Sequence, residues 1–184
     1  SSVRAASIGG APVSPAMLAE IEKAFGCTAI CGYGMTEASP TLTRSLDKPG
    51  EAPSAERRAT TGLPIVGVDV RVLGDDDVEV PWDGETVGEV CARSNHVMAG
   101  YLDAPEATAE VIRDGWLRTG DLAIVRPDGY LQIVDRKKDL IISGGENIAC
   151  LCEGDTELRR LTRDPNVSGD ECRTPLVEQC GGEP

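Results

Sequence analysis

Residues 32–37, with the sequence GYGMTE, bring together the side chains of this chain that are best suited to chemistry. An aromatic ring, a hydroxyl, a carboxylate and two glycines lie within six positions, directly after an apolar run at 28–31. Tyr33 could stack on a nucleobase, Thr36 could donate to a phosphate oxygen, and Glu37 could hold a hard cation such as Mg²⁺. Taken alone, a strand-to-loop turn with incidental polar residues explains the same pattern equally well.

Two other stretches could contact the same kind of ligand. Residues 9–12, GGAP, follow a predicted strand, and two glycines there would let the backbone approach a flat molecule, although a plain tight turn is the alternative. Asp121 follows Gly120, and its two carboxylate oxygens could take two neighbouring sugar hydroxyls. A turn aspartate that bonds its own backbone is an equally good interpretation of that position.

The composition excludes some classes of partner. The formal net charge is -13 and the sequence pI is about 4.5. Since a nucleic-acid binder needs a basic surface, we expect no nucleic-acid partner. No apolar run approaches the roughly 18 to 20 residues of a membrane span, and the first residues do not resemble a targeting segment. We therefore expect a cytoplasmic protein without a membrane span.

The seven cysteines do not suggest a disulfide framework, because their number is odd. Cys27, Cys31 and Cys91 lie in apolar, strand-like runs, where we expect buried thiols. The spacing of the other four does not match the Cys-x-x-Cys pairs of zinc sites, so we expect no zinc there. These four are Cys150, Cys152, Cys172 and Cys180. His96 is the single histidine and is interpreted as structural.

The first part of the chain predicts a strand, a helix and a second strand. A strand at 3–8 precedes a helix that Ser14 can cap and Gly26 can end, with Pro15 in its first turn. The next strand runs into residues 32–37, which is the order of a parallel βαβ unit. We expect one helix face to pack on the sheet, formed by Met17, Leu18, Ile21 and Phe25.

The rest of the chain predicts loops and antiparallel strands. Residues 39–59 are rich in proline, serine and charge and are expected to form a long surface loop. Apolar and polar residues then alternate strictly, as in a strand with one buried face. An acidic turn at 75–77 interrupts the alternation and is interpreted as solvated rather than metal-binding. The predicted segments are strands at 68–72, 78–80 and 88–93, a short helix at 105–112, a hairpin that pairs 122–125 with 130–134, and an exposed connection at 135–148.

Five motifs, in this order, resemble those of the AMP-forming adenylating enzymes. That superfamily comprises acyl-CoA synthetases, the adenylation domains of peptide synthetases and firefly luciferase. The motifs are GGAP, GYGMTE, the segment from GEVCAR to GYL, GWLRTGD and DRKKDLIISGGENI. The resemblance covers residues 9–148. The sequence at 79–84 looks similar to that of bacterial acyl-CoA ligases of the fatty-acid type.

The resemblance implies a fold and a domain organisation. The expected fold is α/β, part of a large N-terminal domain with a parallel βαβ portion and a small antiparallel β unit, ending at the hinge to a truncated C-terminal domain. The expected divisions are the end of the nucleotide-binding subdomain at 1–65, an antiparallel subdomain at 66–134, the hinge region at 135–148 and a degenerate or frameshifted tail at 149–184.

The resemblance also implies a role for each matching residue. Thr36 would contact the phosphate that becomes that of AMP, and Glu37 would hold Mg²⁺ as the metal ligand. The other implied nucleotide contacts are Gly10, Ala11 and Pro12 along the adenine pocket, Tyr33 on the base with Gly32, Gly34 and Met35 around it, and Asp121 and Arg136 at the ribose. The remaining implied residues are Lys138 as the hinge and Ser143, Gly144 and Gly145 beside the channel for coenzyme A.

The implied activity is that of an acid–thiol ligase with ATP, Mg²⁺ and coenzyme A. A small-molecule carboxylic acid would form an acyl-adenylate, and a thiol would then take the acyl group. Two family features are missing, namely the upstream phosphate-binding loop and a late catalytic lysine, since the last lysine is Lys138. We therefore expect a fragment that is inactive alone. The alternatives are a non-catalytic adenine-nucleotide-binding module or pseudoenzyme, a peptide-synthetase adenylation domain, and a misfolded remnant without function.

Overall fold

The computed structural model describes residues 2–137 and the two short strands 141–143 and 146–148. Three helices and eleven strands are described, together with a single 3₁₀ turn at Thr36–Ala38. In chain order they are β1 Ala5–Ile8, α1 Pro15–Phe25, β2 Thr28–Gly34, β3 Thr41–Arg44, α2 Ala55–Arg58, β4 Leu63–Pro64, β5 Val68–Leu73, β6 Gly88–Ser94, α3 Pro105–Val111, β7 Ile112–Arg113, β8 Trp116–Val125, β9 Leu131–Arg136, β10 Ile141–Ser143 and β11 Glu146–Ile148.

The first sheet has the order β1-β2-β3-β4. Strands β1 and β2 are parallel, in a register that runs from Ala5 opposite Thr28 to Ile8 opposite Cys31. Helix α1 connects them, so the predicted βαβ unit is confirmed. Strands β3 and β4 continue the sheet in antiparallel pairing. The carboxyl end of β1 therefore lies beside the carboxyl half of β2, where a ligand of a parallel sheet would be expected.

Helix α1 begins and ends where the sequence predicts. The backbone N–H of Met17 donates to the Ser14 hydroxyl at 3.2 Å, and Gly26 ends the helix in the left-handed conformation with φ of 62°. The prediction of which helix residues pack on the sheet is wrong in part. Leu18 is fully buried, but Met17 and Phe25 remain 54% and 56% exposed. The helix rests on β2 and α2, which cover only the central stripe of that face.

The prediction of a long surface loop at 39–59 is wrong in part, since β3 and α2 form within it. Leu42, Thr43 and Ser45 are fully buried. The Ser45 hydroxyl accepts from the Cys31 backbone N–H at 2.7 Å and donates to the Arg58 carbonyl at 2.7 Å. These partners are distant in the sequence, so the local composition of proline and serine did not indicate them.

The second sheet is antiparallel and has the order β5-β6-β8-β7, with β9 also paired to β8. The predicted hairpin is confirmed, with Val125 opposite Leu131 across the turn at 126–129. The predicted strand at 78–80 is reduced to one bridge between Leu73 and Glu79. The predicted helix at 105–112 ends at Val111, because Ile112 belongs to β7 and pairs with Leu117 of β8. A core lies on this sheet, built from Val72, Val80, Val90, Ala123, Val125 and Leu131.

The described structure is thus α/β, with a parallel βαβ portion and an antiparallel unit, as the sequence predicts. No helix within the described residues has the length and apolar character needed to cross a membrane. Strands β10 and β11 pair in antiparallel orientation. Lys138, Gly144, Gly145 and the predicted tail at 149–184 lie outside the described residues, as does the side chain of Ser143. The predicted division of the chain into subdomains stays a prediction.

Candidate nucleotide-binding site

An open cleft of about 200 Å³ lies where β1 and β2 end. Its lining is Ser7, Ile8, Gly9, Gly10, Gly32, Tyr33, Gly34, Pro40, Thr41 and Arg44. Glycine is required at position 34 of this lining, because a Cβ on Gly34 would lie 1.7 Å from the Pro40 carbonyl oxygen. A Cβ on Gly32 would lie 3.2 Å from the Thr43 carbonyl oxygen. The glycines of the GYGMTE segment therefore let backbone segments meet closely beside the cleft.

The predicted boundary between strand and loop in GYGMTE is wrong. Strand β2 continues through Gly34 because its second half pairs with β3, with Gly32 opposite Arg44. Met35 is extended, and the 3₁₀ turn Thr36–Ala38 follows. Gly32, Tyr33 and Gly34 are thus presented by a strand, and the loop portion is confined to the residues after it.

Tyr33 links the first sheet to the second. Its hydroxyl donates a hydrogen bond to Oδ2 of Asp121 at 2.6 Å, and its side chain packs against the core that contains Val72 and Val90. Burial raises the pKa of the Tyr33 phenol, and the hydrogen bond to Asp121 raises it further. Two residues predicted to contact different parts of one nucleotide are therefore in direct contact.

Asp121 lies in a bulge of β8, after Gly120 with φ of 73°. It is 8% exposed. Its Oδ1 faces Nε of Arg136 at 3.3 Å, and Asp121 is opposite Arg136 in the register of β8 and β9. The Arg136 side chain is 61% exposed. The structure thus brings Tyr33, Asp121 and Arg136 together, with the aspartate between a phenol and a guanidinium.

Glu37 is held by a part of the chain far from it in the sequence. Its Oε1 accepts a hydrogen bond from the Tyr101 hydroxyl at 2.9 Å, and its backbone carbonyl accepts from the Met98 N–H at 2.7 Å. Thr36, at the start of the 3₁₀ turn, is exposed. The phosphate and metal candidates are therefore in the turn that follows β2.

The structure brings some predicted residues to the cleft and leaves others away from it. Gly10, Gly32, Tyr33 and Gly34 line it, whereas Ala11 and Pro12 do not. The other predicted residues outside the lining are Met35, which packs on the core around Leu42, and Thr36, Glu37, Asp121 and Arg136. Their assigned roles stay predictions.

Sequence reasoning missed Arg44, Thr41 and Tyr101. The first two line the cleft from β3, inside the segment interpreted as a loop. Tyr101 belongs to the GYL segment, which was recognised as a motif without a contact being assigned to it. That motif was the available signal for Tyr101, and no local signal pointed to the two residues of β3.

The described site combines strand-end glycines, an aromatic ring, a carboxylate beside an arginine and a hydroxyl-bearing turn, which are features of a nucleotide-binding α/β protein. Residues 1–102 match the family model described as AMP-binding enzyme. The chain belongs to this AMP-binding enzyme family.

Relatives and solved structures agree with this assignment. The chain is 49% identical over 148 residues to a feruloyl-CoA synthase of an Amycolatopsis species, covering 80% of this chain and 29% of that protein. It is 40% identical over 150 residues to 4-hydroxybutyrate–CoA ligase 2 of Metallosphaera sedula, covering 78% and 27%. The chain thus spans less than a third of the length of these relatives.

A solved structure with a similar fold is the O-succinylbenzoate coenzyme A synthetase of Bacillus subtilis in complex with ATP and magnesium ion. The TM-score is 0.67 at 32% sequence identity, and the match covers 79% of this chain and 29% of that chain. This similarity supports the α/β architecture of the described residues.

Proposed function

We propose that this chain is the nucleotide-binding portion of an acyl-CoA ligase that forms an acyl-adenylate. The observation that carries the proposal is the contact of Tyr33 with Asp121, with Arg136 on the other oxygen of the same carboxylate. An aromatic ring, a carboxylate and a guanidinium at one place suit the base and the ribose of one nucleotide. The family membership of residues 1–102 supports the same conclusion.

Each candidate residue receives a role from its position. Gly10 and Gly34 border the cleft with backbone that an adenine ring could approach, and Tyr33 offers the ring to stack on it. Asp121 would accept hydrogen bonds from the ribose hydroxyls, with Arg136 beside it. Thr36 would donate to the α-phosphate from the turn after β2.

The residues present fit Mg²⁺ shared with a nucleotide. Mg²⁺ is commonly bound by one or two carboxylates, with phosphate and water oxygens completing its shell. Glu37 supplies one carboxylate, of which Tyr101 engages Oε1. Among the described residues, no group of three or more acidic, histidine or cysteine side chains could hold a metal by itself. Bound Mg²⁺ would supply neutralisation of the phosphate charge.

The proposed reaction has two steps. An oxygen of the substrate carboxylate attacks the α-phosphorus of ATP, and pyrophosphate leaves. The sulfur of a thiol then attacks the acyl carbon of the adenylate, the thiol proton is released, and AMP leaves. Coenzyme A is the proposed thiol, and Lys138, Ser143, Gly144 and Gly145 keep their proposed roles at the hinge and the channel.

A chimera tests the ligase activity. The 148 matched residues of this chain would replace their counterparts in the Amycolatopsis feruloyl-CoA synthase, and acyl-CoA formation from ferulic acid, ATP and coenzyme A would be measured. We expect activity, and Asp121→Ala in the chimera should raise KM for ATP about tenfold, the effect of one charged hydrogen bond. Asp69→Asn is the matched control, since Asp69 pairs with Arg93 on the exposed surface. A folded but inactive chimera would contradict the proposal.

The isolated chain tests nucleotide binding separately. We expect the 184-residue protein to bind AMP in a calorimeter and to release no pyrophosphate from ATP with ferulic acid and Mg²⁺. Pyrophosphate release would contradict the expected inactivity. AMP binding together with an inactive chimera would instead favour a non-catalytic nucleotide-binding module.

A further inference from the structure

Glu89 is a buried carboxylate that none of the roles above uses. Its side chain is 11% exposed and lies in β6, beside the bulge that carries Asp121. Its Oε1 accepts from the Gly120 backbone N–H at 3.1 Å. Its Oε2 lies 3.2 Å from Nζ of Lys137 and 3.7 Å from Nη1 of Arg118. One acidic side chain thus contacts the bulge and two cations.

The bulge explains why Gly120 needs such a partner. In the pairing of β6 with β8, Glu89 is opposite Leu122 and Cys91 is opposite Arg118. The chain of β8 therefore advances four residues over a stretch in which β6 advances two. The extra residues of a bulge are withdrawn from the regular ladder of backbone hydrogen bonds. Gly120 is partly buried, and the Glu89 carboxylate supplies the acceptor for its N–H, which would be costly to leave unpaired.

Gly120 is held from both sides. Glu89 binds its N–H, and the backbone N–H of Lys137 donates to its carbonyl at 2.8 Å. Asp121 is the next residue, and its carboxylate faces Tyr33 and Arg136. The direction of that carboxylate depends on the conformation of Gly120, because a change in the glycine would rotate the following residue.

We infer that Glu89 is a positioning residue for Asp121 and thereby a determinant of ribose recognition. The inference rests on the proposed function, in which Asp121 binds the ribose hydroxyls. Glu89 acts through Gly120, while Lys137 and, at a longer distance, Arg118 contact its other carboxylate oxygen. Removing Glu89 should therefore affect ligands that carry ribose hydroxyls more than ligands that lack them.

The charge of Glu89 is needed, not only its size. A glutamine could turn its oxygen toward the Gly120 N–H, but its NH₂ group would then face Lys137 and Arg118. With the opposite orientation its NH₂ group would face the Gly120 N–H. Glu89→Gln can therefore keep the hydrogen bond from Gly120 or an oxygen facing the two cations, but not both. This makes it a sharper test than a deletion of the side chain.

The test measures discrimination between two nucleotides by the 184-residue chain. Calorimetry would give Kd for AMP and for 2′,3′-dideoxy-AMP, which lacks both ribose hydroxyls. We expect the unaltered chain to bind AMP more tightly. In Glu89→Gln the Kd for 2′,3′-dideoxy-AMP divided by the Kd for AMP should fall about fivefold, the size of one ordinary hydrogen bond. Asp69→Asn, the surface control on the same sheet, should keep the ratio.

A second variant covers the case in which Glu89→Gln does not fold, as judged by circular dichroism and thermal melting. Lys137→Met removes the ion pair with Glu89 but keeps the backbone bond from Lys137 to Gly120, and its side chain is 54% exposed. We expect a fall of about twofold in the ratio. The inference would be overturned if Glu89→Gln folds and the ratio of the two Kd values is unchanged, which includes the case in which both affinities fall equally. If only Lys137→Met folds, an unchanged ratio in that variant would overturn it.

The outcome also separates this inference from the proposed function. If the unaltered chain discriminates between the two nucleotides and the variants do so equally, only the inference fails. If the unaltered chain binds no AMP, or binds both nucleotides equally, the proposed role of Asp121 fails and the inference fails with it.

Discussion

The Tyr101 hydroxyl donates a hydrogen bond to Oε1 of Glu37 at 2.9 Å, although 64 positions separate the two residues. The contact joins the turn after β2 to the segment that follows β6, and the bond from Met98 N–H to the Glu37 carbonyl lies beside it. The proposed metal ligand is thereby held through both its side chain and its backbone.

Replacing Tyr101 with phenylalanine should weaken the response to Mg²⁺ without affecting AMP binding in its absence. The variant frees Oε1 of Glu37 and lets the carboxylate rotate. In titrations of ATP binding to the 184-residue chain, we expect the half-saturating Mg²⁺ concentration to rise about threefold to tenfold. Kd for AMP without Mg²⁺ is the control. An unchanged Mg²⁺ requirement would mean that Tyr101 does not orient this carboxylate.

Tyr33→Phe should change the alkaline stability of the protein. The pKa of Tyr33 is raised in the folded protein, so the protonated phenol stabilises the fold fully at pH values below the ordinary tyrosine pKa of about 10. As pH rises above this value, the free energy of unfolding should fall by up to about 1.4 kcal/mol per pH unit.

Urea unfolding between pH 8 and pH 11 measures this effect. The variant lacks the Tyr33 contribution, so its curve should fall less steeply than that of the unaltered protein. Burial also raises the pKa of Tyr130, and the hydrogen bond to Glu37 raises that of Tyr101, but both groups are present in each protein. Parallel curves would contradict the assignment to Tyr33.

Gly34→Ala should strongly destabilise the first sheet. The new Cβ would lie 1.7 Å from the Pro40 carbonyl oxygen, so the backbone itself must move. We expect a loss of about 3 kcal/mol in the free energy of unfolding, measured in urea. Gly67→Ala is the matched control: it has open space around it and φ of 83°, and should cost about 1 kcal/mol. Equal losses would show that the close approach at Gly34 is not limiting.

Ser45→Ala should show how β2 is joined to α2. The Ser45 hydroxyl is fully buried and bonds to the Cys31 N–H and the Arg58 carbonyl. Its removal leaves both groups without this partner, and we expect a loss of about 2 kcal/mol in thermal and urea unfolding. Ser14→Ala, at the exposed cap of α1, should cost about 1 kcal/mol. A smaller effect at Ser45 than at Ser14 would contradict this interpretation.

Local signals were sufficient for several elements. The ends of helix α1 were predictable from Ser14, Pro15 and Gly26, because capping depends on residues within the same turn. The hairpin of β8 and β9 was predictable because its turn joins strands adjacent in the sequence. Strand β3 was missed because its stability comes from pairing with β2 and β4, while its own neighbourhood is rich in proline and serine.

For the candidate site, the sequence by itself determined the residue types and the order of the motifs, from which the family and the candidates Tyr33, Glu37 and Asp121 followed. Only the tertiary structure decided which of them meet. Tyr33 reaches Asp121 across 88 positions, and Glu89 reaches the Gly120 bulge across 31. Such contacts depend on strand register and on a two-residue bulge in β8, which set where side chains point and leave no local trace in the sequence.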